Sequence, residues 1–167
     1  MATGAKVQAC LLALAVSAAL AGLPEAAHAS TITSLKPESI ISALQNAGYK
    51  AKLSNTDDGD PVIDTAADGN AIRIVMTDCK DHKGCSTTEF VGVWDCSDSI
   101  AKCKSATSEK NNEESPVHII LSEDGKTAIT YSYLLYDENG ISENLLVKNL
   151  TTFSFYNTQF ALAVSKK

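Results

Sequence analysis

Apolar and polar residues alternate with a period of two along most of this chain, and a helical period interrupts the alternation three times. Ile40, Ile41, Leu44 and Ala47 fall on one stripe at helical spacing and predict a helix over residues 34–47. Pro37 suits its first turn, where a missing N–H costs nothing, and Glu38 complements the positive N-terminal end. Gly48 fits the left-handed residue that ends a helix, with Tyr49 as the apolar lock behind it. Tyr49, Ala51 and Leu53 then alternate with lysine and serine, which reads as a strand. A turn over residues 55–60 leads to a short strand at Pro61-Val62-Ile63, with the proline at its start. Asp68-Gly69-Asn70 turns again. Ile72, Ile74 and Met76 share one face of a third strand over residues 71–77. Residues 87–95 form a fourth, with Phe90 and Trp94 on one face and Val91 and Val93 on the other.

The second half repeats the change of period. Residues 97–112 carry a thin stripe of Ile100, Cys103 and Ala106, which predicts a helix with Ser97 as its cap. Residues 117–121 read as a strand, and Asp124-Gly125 is a two-residue hairpin signal. Its partner strand, residues 127–136, places Ile129, Tyr131, Tyr133 and Leu135 on one face. The aromatic stripe of Tyr131, Tyr133 and Phe153 reads as core. The longest helix runs over residues 141–164, with Leu146, Leu150, Phe153, Phe160 and Val164 on a shared face. The order is therefore α-β-β-β-β-α-β-β-α. Strands joined by short turns pair antiparallel, so the expected class is α+β, an antiparallel sheet with helices packed on one face.

The first 29 residues do not belong to that pattern. Lys6 precedes an almost wholly apolar run, residues 7–23, which Pro24 and Glu25 break. Ala27-His28-Ala29 has small residues where signal peptidase reads them. The expectation is a signal peptide over residues 1–29, cut between Ala29 and Ser30. The run is short of the roughly 20 residues of a membrane span, and Cys10 lies on the wrong side of it for lipidation. Cleavage removes Lys6 and Glu25 together, so the net charge of −6 is kept. Residues 30–167 are of one-domain length. An acidic exported domain repels nucleic acid and anionic lipid, so neither nucleic acid nor, after cleavage, a membrane is expected as partner. Its acids are scattered, often in turns, and serve turn chemistry and solubility.

Four cysteines remain downstream: Cys79, Cys85, Cys96 and Cys103. An exported chain oxidises them, and four cysteines allow three pairings. Cys79 ends one predicted strand and Cys85 begins the next. Cys96 lies eleven residues beyond Cys85, roughly 36 Å along a continuous strand, whereas a disulfide needs α-carbons within about 7 Å. That leaves Cys79–Cys85 and Cys96–Cys103. Seven residues inside one straight helix rise about 10.5 Å, too far for a bond, so Cys96 must precede the helix. A zinc site on Cys79-x-x-His82-x-x-Cys85 is the competing reading. Oxidation and the distance to Cys96 oppose it, so no metal or cofactor is expected. A redox role lacks a Cys-x-x-Cys at a helix N-terminus.

Little other chemistry is legible. His82 and His118 are the histidines left after cleavage, and His118 falls in a predicted strand. No Gly-x-Ser-x-Gly elbow exists. Asp57-Asp58-Gly59-Asp60 resembles part of a calcium loop, but Ser54 and Thr56 stand at acidic positions and Thr65 where a bidentate Glu belongs. Asn149-Leu150-Thr151 matches a glycosylation triplet inside a predicted helix.

The order of short motifs resembles one family. Gly48-Tyr49-Lys50-Ala51, then Asp58-Gly59-Asp60-Pro61-Val62-Ile63, then Cys79 and Cys85 flanking a loop, and Asn139-Gly140-Ile141-Ser142 before the last helix, look like the YbjN family of sensory transduction regulators. The resemblance covers most of residues 34–165. It implies a fold like that of the small α/β chaperones of type III secretion, with the element order above. The chain departs from the family in lacking an Asn-x-Trp-Asn-like segment between Ser97 and Ser115, and Cys96 and Cys103 look like additions. The expectation is one YbjN-like domain, not an enzyme, in the periplasm or outside the cell. It would contact a protein or peptide, with a homodimer as one form. A small-molecule binding or sensing domain is the alternative, and a hydrolase with dispersed residues ranks third.

Overall fold

The computed structural model describes residues 31–32, 36–135 and 139–165, and the expected cleavage residues Ala29 and Ser30 lie outside them. The elements are β1 (Thr31–Ile32), α1 (Pro37–Asn46), β2 (Ala51–Asn55), β3 (Pro61–Ala67), β4 (Asn70–Thr77), β5 (Thr87–Asp95), α2 (Ile100–Asn111), β6 (His118–Leu121), β7 (Thr127–Leu135), β8 (Ile141–Ser142) and α3 (Glu143–Ser165). The expected α+β order is present. Two two-residue strands are added, β1 and β8, which pair with each other.

Six strands form one antiparallel sheet in the order β2-β3-β4-β5-β7-β6. Short turns pair β2 through β5 as consecutive neighbours. The chain then crosses through α2 to the edge, lays down β6, and returns as β7 between β6 and β5. All three described helices pack on the same side. Ile63, Ile72, Ile74, Met76, Phe90 and Leu134 of the sheet meet Ile40, Leu44, Leu146, Leu150 and Phe153 of the helices in the main core. Phe90 and Phe153 stack with ring centroids 5.9 Å apart. Cys96, Cys103, Ala106, Ile119, Ala128 and Phe160 form a second cluster under α2.

Three local readings are corrected. Ser97 does not cap α2: its N–H donates to Asp95 Oδ1, Ser99 N–H donates to Cys96 O, and the helix starts at Ile100. The chain needs that extra turn to bring Cys96 back over Cys103. The last helix starts at Glu143, because Ile141 and Ser142 pair with β1 and Ser142 Oγ accepts from Leu145 N–H. Tyr131 and Tyr133 are not core; Tyr133 is 57% exposed, whereas Phe153 is buried. On β7 the covered side is Ala128, Thr130 and Leu134, and the aromatic side faces away from the helices.

Candidate functional site

Two features of the surface carry chemistry: the bare side of the sheet, and a groove beside the first disulfide.

Because every described helix packs on one side, the other side of the sheet carries no described helix. One row crosses all six strands: Lys52, Asp64, Arg73, Val91, Tyr131 and His118. The adjoining rows hold Val62, which is itself buried, with Val75, Glu89 and Tyr133 on one side, and Val93, Ile129 and Ile120 on the other. Val93 is 60% exposed, Ile120 49% and Leu135 72%. Large apolar side chains are therefore contiguous on β5, β6 and β7, while the β2–β4 end is charged. Arg73 Nε lies 3.5 Å from Asp64 Oδ1, and Ser54 Oγ donates to Asp64 Oδ2 at 2.7 Å. Tyr131 and Tyr133 meet edge to face at 5.5 Å, and His118 lies 5.8 Å from Tyr131. Glu89 is half-buried among these groups, and burial pushes its carboxyl above the usual range, offset in part by a hydrogen bond from Tyr133. The Glu89 charge in turn raises the Tyr133 phenol.

The cysteines frame the second feature. Cys79 is bonded to Cys85, and Cys96 to Cys103. With both sulfurs of the first pair bonded, no thiolate is left beside His82. Among the described residues no group of three His, Cys, Asp or Glu side chains is placed to hold a metal ion. Inside the first loop, Lys80 N–H donates to Lys83 O at 2.7 Å and Lys83 N–H to Lys80 O at 3.0 Å. The two central residues, Asp81 and His82, have φ of 52° and 58°. This is the pattern of a type I′ hairpin turn, which normally carries Asn-Gly or Asp-Gly. His82 Nδ1 lies 2.8 Å from Asp60 Oδ1 across the neighbouring turn. Between that hairpin, the start of α1 and the β2–β3 turn lies a groove of about 330 Å³. It is lined by Pro37, Glu38, Leu53, Asn55, Pro61, His82 and Lys83. Sequence reading singled out the cysteines and His82 but missed Glu38, Leu53 and Lys83 as a group, because they come from three separate elements.

A third set of polar residues is internal. Asn157 on α3 accepts hydrogen bonds from Trp94 Nε1 at 2.9 Å and Thr130 Oγ1 at 2.6 Å, opposite Gly92. It is fully buried, between residues of the two core clusters. Ser154 and Asp68, and Asn70 and Thr158, tie α3 to the β3–β4 turn. Asn149 and Thr151 are bonded within α3, to Leu145 O and Val147 O, and are helical there.

The fold these features belong to is that of small α+β domains with a bare sheet face. The chain is similar in structure to YbjN from E. coli, with TM-score 0.58 over 80% of this chain and 93% of that one at 11% identity. It is equally similar to an uncharacterized protein from Methanothermobacter thermautotrophicus, with TM-score 0.58 over 76% of this chain and 94% of that one at 12% identity. The fold is YbjN-like. No family model matches the sequence, and no curated protein matches it.

Proposed function

We propose that this chain is an exported, non-enzymatic interaction domain whose open sheet face docks a protein partner. The observation that carries this reading is the contiguous apolar surface of Val93, Ile120, Ile129, Tyr133 and Leu135 on a sheet with all its described helices on the other side. Exposed apolar groups grouped in this way are uncommon on a surface that meets only water. The partner is a protein with an apolar patch of its own. The charges of the face nearly balance, Lys52 and Arg73 against Asp64, Glu89 and Asp95, so close approach there avoids the repulsion that the net charge of −6 creates elsewhere. Two disulfides support an oxidising compartment, and no described helix is long and apolar enough to cross a membrane.

The test is a photo-crosslinking amino acid placed singly at Val93, Ile120 and Tyr133 in cells, with Glu109 on the far surface of α2 as control. A discrete adduct from the sheet positions and none from Glu109 supports the reading. Its mass tells a second copy of this chain from another protein. Silence at all three sheet positions overturns it.

A further inference from the structure

The turn at the tip of the first disulfide loop carries one residue, His82, that a purely structural turn does not call for. Both central positions of a type I′ turn need positive φ, which glycine adopts freely and other residues at a cost of roughly 1–2 kcal/mol each. Asp81 suits the first of them, where aspartate is usual, but His82 stands at the second, where glycine is the rule. Strain of this kind persists where the side chain it displays has a use. The side chain displayed is the His82 imidazole. Asp60 engages Nδ1, which leaves Nε2 as the nitrogen able to meet a ligand, and the ring forms one wall of the groove.

The groove has a definite chemical polarity. Its floor is apolar, made of Pro37, Leu53 and Pro61. Leu53 is 40% exposed there, although it points to the side of the sheet that is buried elsewhere. Lys83 and His82 rise on the loop side and Glu38 on the α1 side, so a cation and an anion face a common apolar surface. A ligand of one charge meets a like charge on one wall. A ligand with an ammonium, a carboxylate and an aliphatic body satisfies both walls and the floor. The volume of about 330 Å³ is at the lower end of ligand pockets. We propose that this groove binds a small zwitterion with a branched aliphatic side chain, an amino acid or a dipeptide of such residues. Glu38 takes the ammonium, Lys83 takes the carboxylate, Leu53 takes the side chain, and the His82 ring closes the wall beside it. The Cys79–Cys85 bond holds the loop wall in place. This site is separate from the open sheet face, and either can fail without the other.

The experiment follows the Leu53 methyl and His82 ring signals of the oxidised protein by NMR. L-leucine, leucyl-leucine and N-acetyl-leucinamide, which keeps the side chain but carries neither charge, are titrated in turn. Saturable shifts with leucine, leucyl-leucine or both support the proposal, and which one saturates first identifies the source. Lys83→Ala and Glu38→Gln each weaken binding by about tenfold, as expected for loss of one charge-assisted contact, with the fold intact. His82→Gly removes the ring and relieves the turn, so it loses binding without losing thermal stability, the opposite of what a merely structural histidine does. The proposal is overturned by no saturable shift with either zwitterion. Equal affinity for the uncharged analogue, or binding unmoved in all three variants, overturns it as well.

Discussion

Gly92 and Asn157 show what a single residue does in this molecule. A Cβ on Gly92 would lie 2.6 Å from Thr130 Oγ1 and closer still to Asn157 Oδ1. The glycine is thus the space in which Asn157 accepts from Trp94 and Thr130. Gly92→Ala should cost about 1–3 kcal/mol through overpacking, read as a drop in Tm with a changed Trp94 emission, since the indole loses its acceptor. An unchanged Tm with unchanged emission would contradict this account. Glu89 is the other telling residue. Its carboxyl is raised by burial, so the folded state binds its proton more tightly than the unfolded chain does. Ionised Glu89 therefore lowers stability above its folded pKa, and the cost disappears as pH falls toward the ordinary carboxylate range. Glu89→Gln should be more stable than the parent at neutral pH, with the gap closing on acidification. Thermal melts from pH 7 down to pH 4 check this. The same substitution should let Tyr133 ionise at lower pH, because the Glu89 charge is what raises it.

At the scale of elements, α2 is the weakest piece. It buries only Cys103 and Ala106, too little apolar surface to hold a helix of its length by packing alone. The Cys96–Cys103 bond compensates. Replacing that pair by serine removes a short closed loop worth about 2.4 kcal/mol in the chain-entropy model. The loss should be local: amide exchange should quicken across α2 while β4, β5 and β7 keep their protection. Uniform loss of protection would mean that α2 is integral to the core. The element boundaries show where sequence reading succeeds. The stripe of Leu146, Leu150, Phe153 and Phe160 is the buried face of α3, because long apolar side chains at helical spacing have one place to go. Ser154 and Asn157 lie on the same face and were not legible as core. Their burial depends on acceptors and donors in β3–β4, β5 and β7 that no local window contains. Ile141 likewise reads as the start of a helix until β1, more than a hundred residues earlier, supplies a strand partner.

At the scale of the molecule, the sheet divides the surface into a covered side and a bare one. Val93→Lys with Ile120→Lys should leave stability within about 1 kcal/mol, since both side chains face solvent. The same double variant should bind markedly less of a hydrophobic dye than the parent. A large drop in Tm would mean that the bare side contributes to folding. The candidate groove also exists only at this scale. Glu38, Leu53 and Lys83 become neighbours because α1, the β2–β3 edge and a disulfide-bonded hairpin converge at one corner.

The amino-acid pattern alone determined the order of the three described helices and the six strands of the main sheet, the residues that share a face within each, and, through strand length, which cysteines are close enough to bond. Each of these follows from backbone periodicity and reach, which are local properties. Which face of a strand is covered was decided by the tertiary structure. A period of two is the same pattern from either side, so Ile129, Tyr131, Tyr133 and Leu135 read as a set whether they look inward or outward. The small row of Ala128 and Thr130 faces the helices because α3 approaches closely there, with Gly92 and Asn157 between, and bulky side chains would hold it off. The aromatic row is left on the bare side by that one close contact.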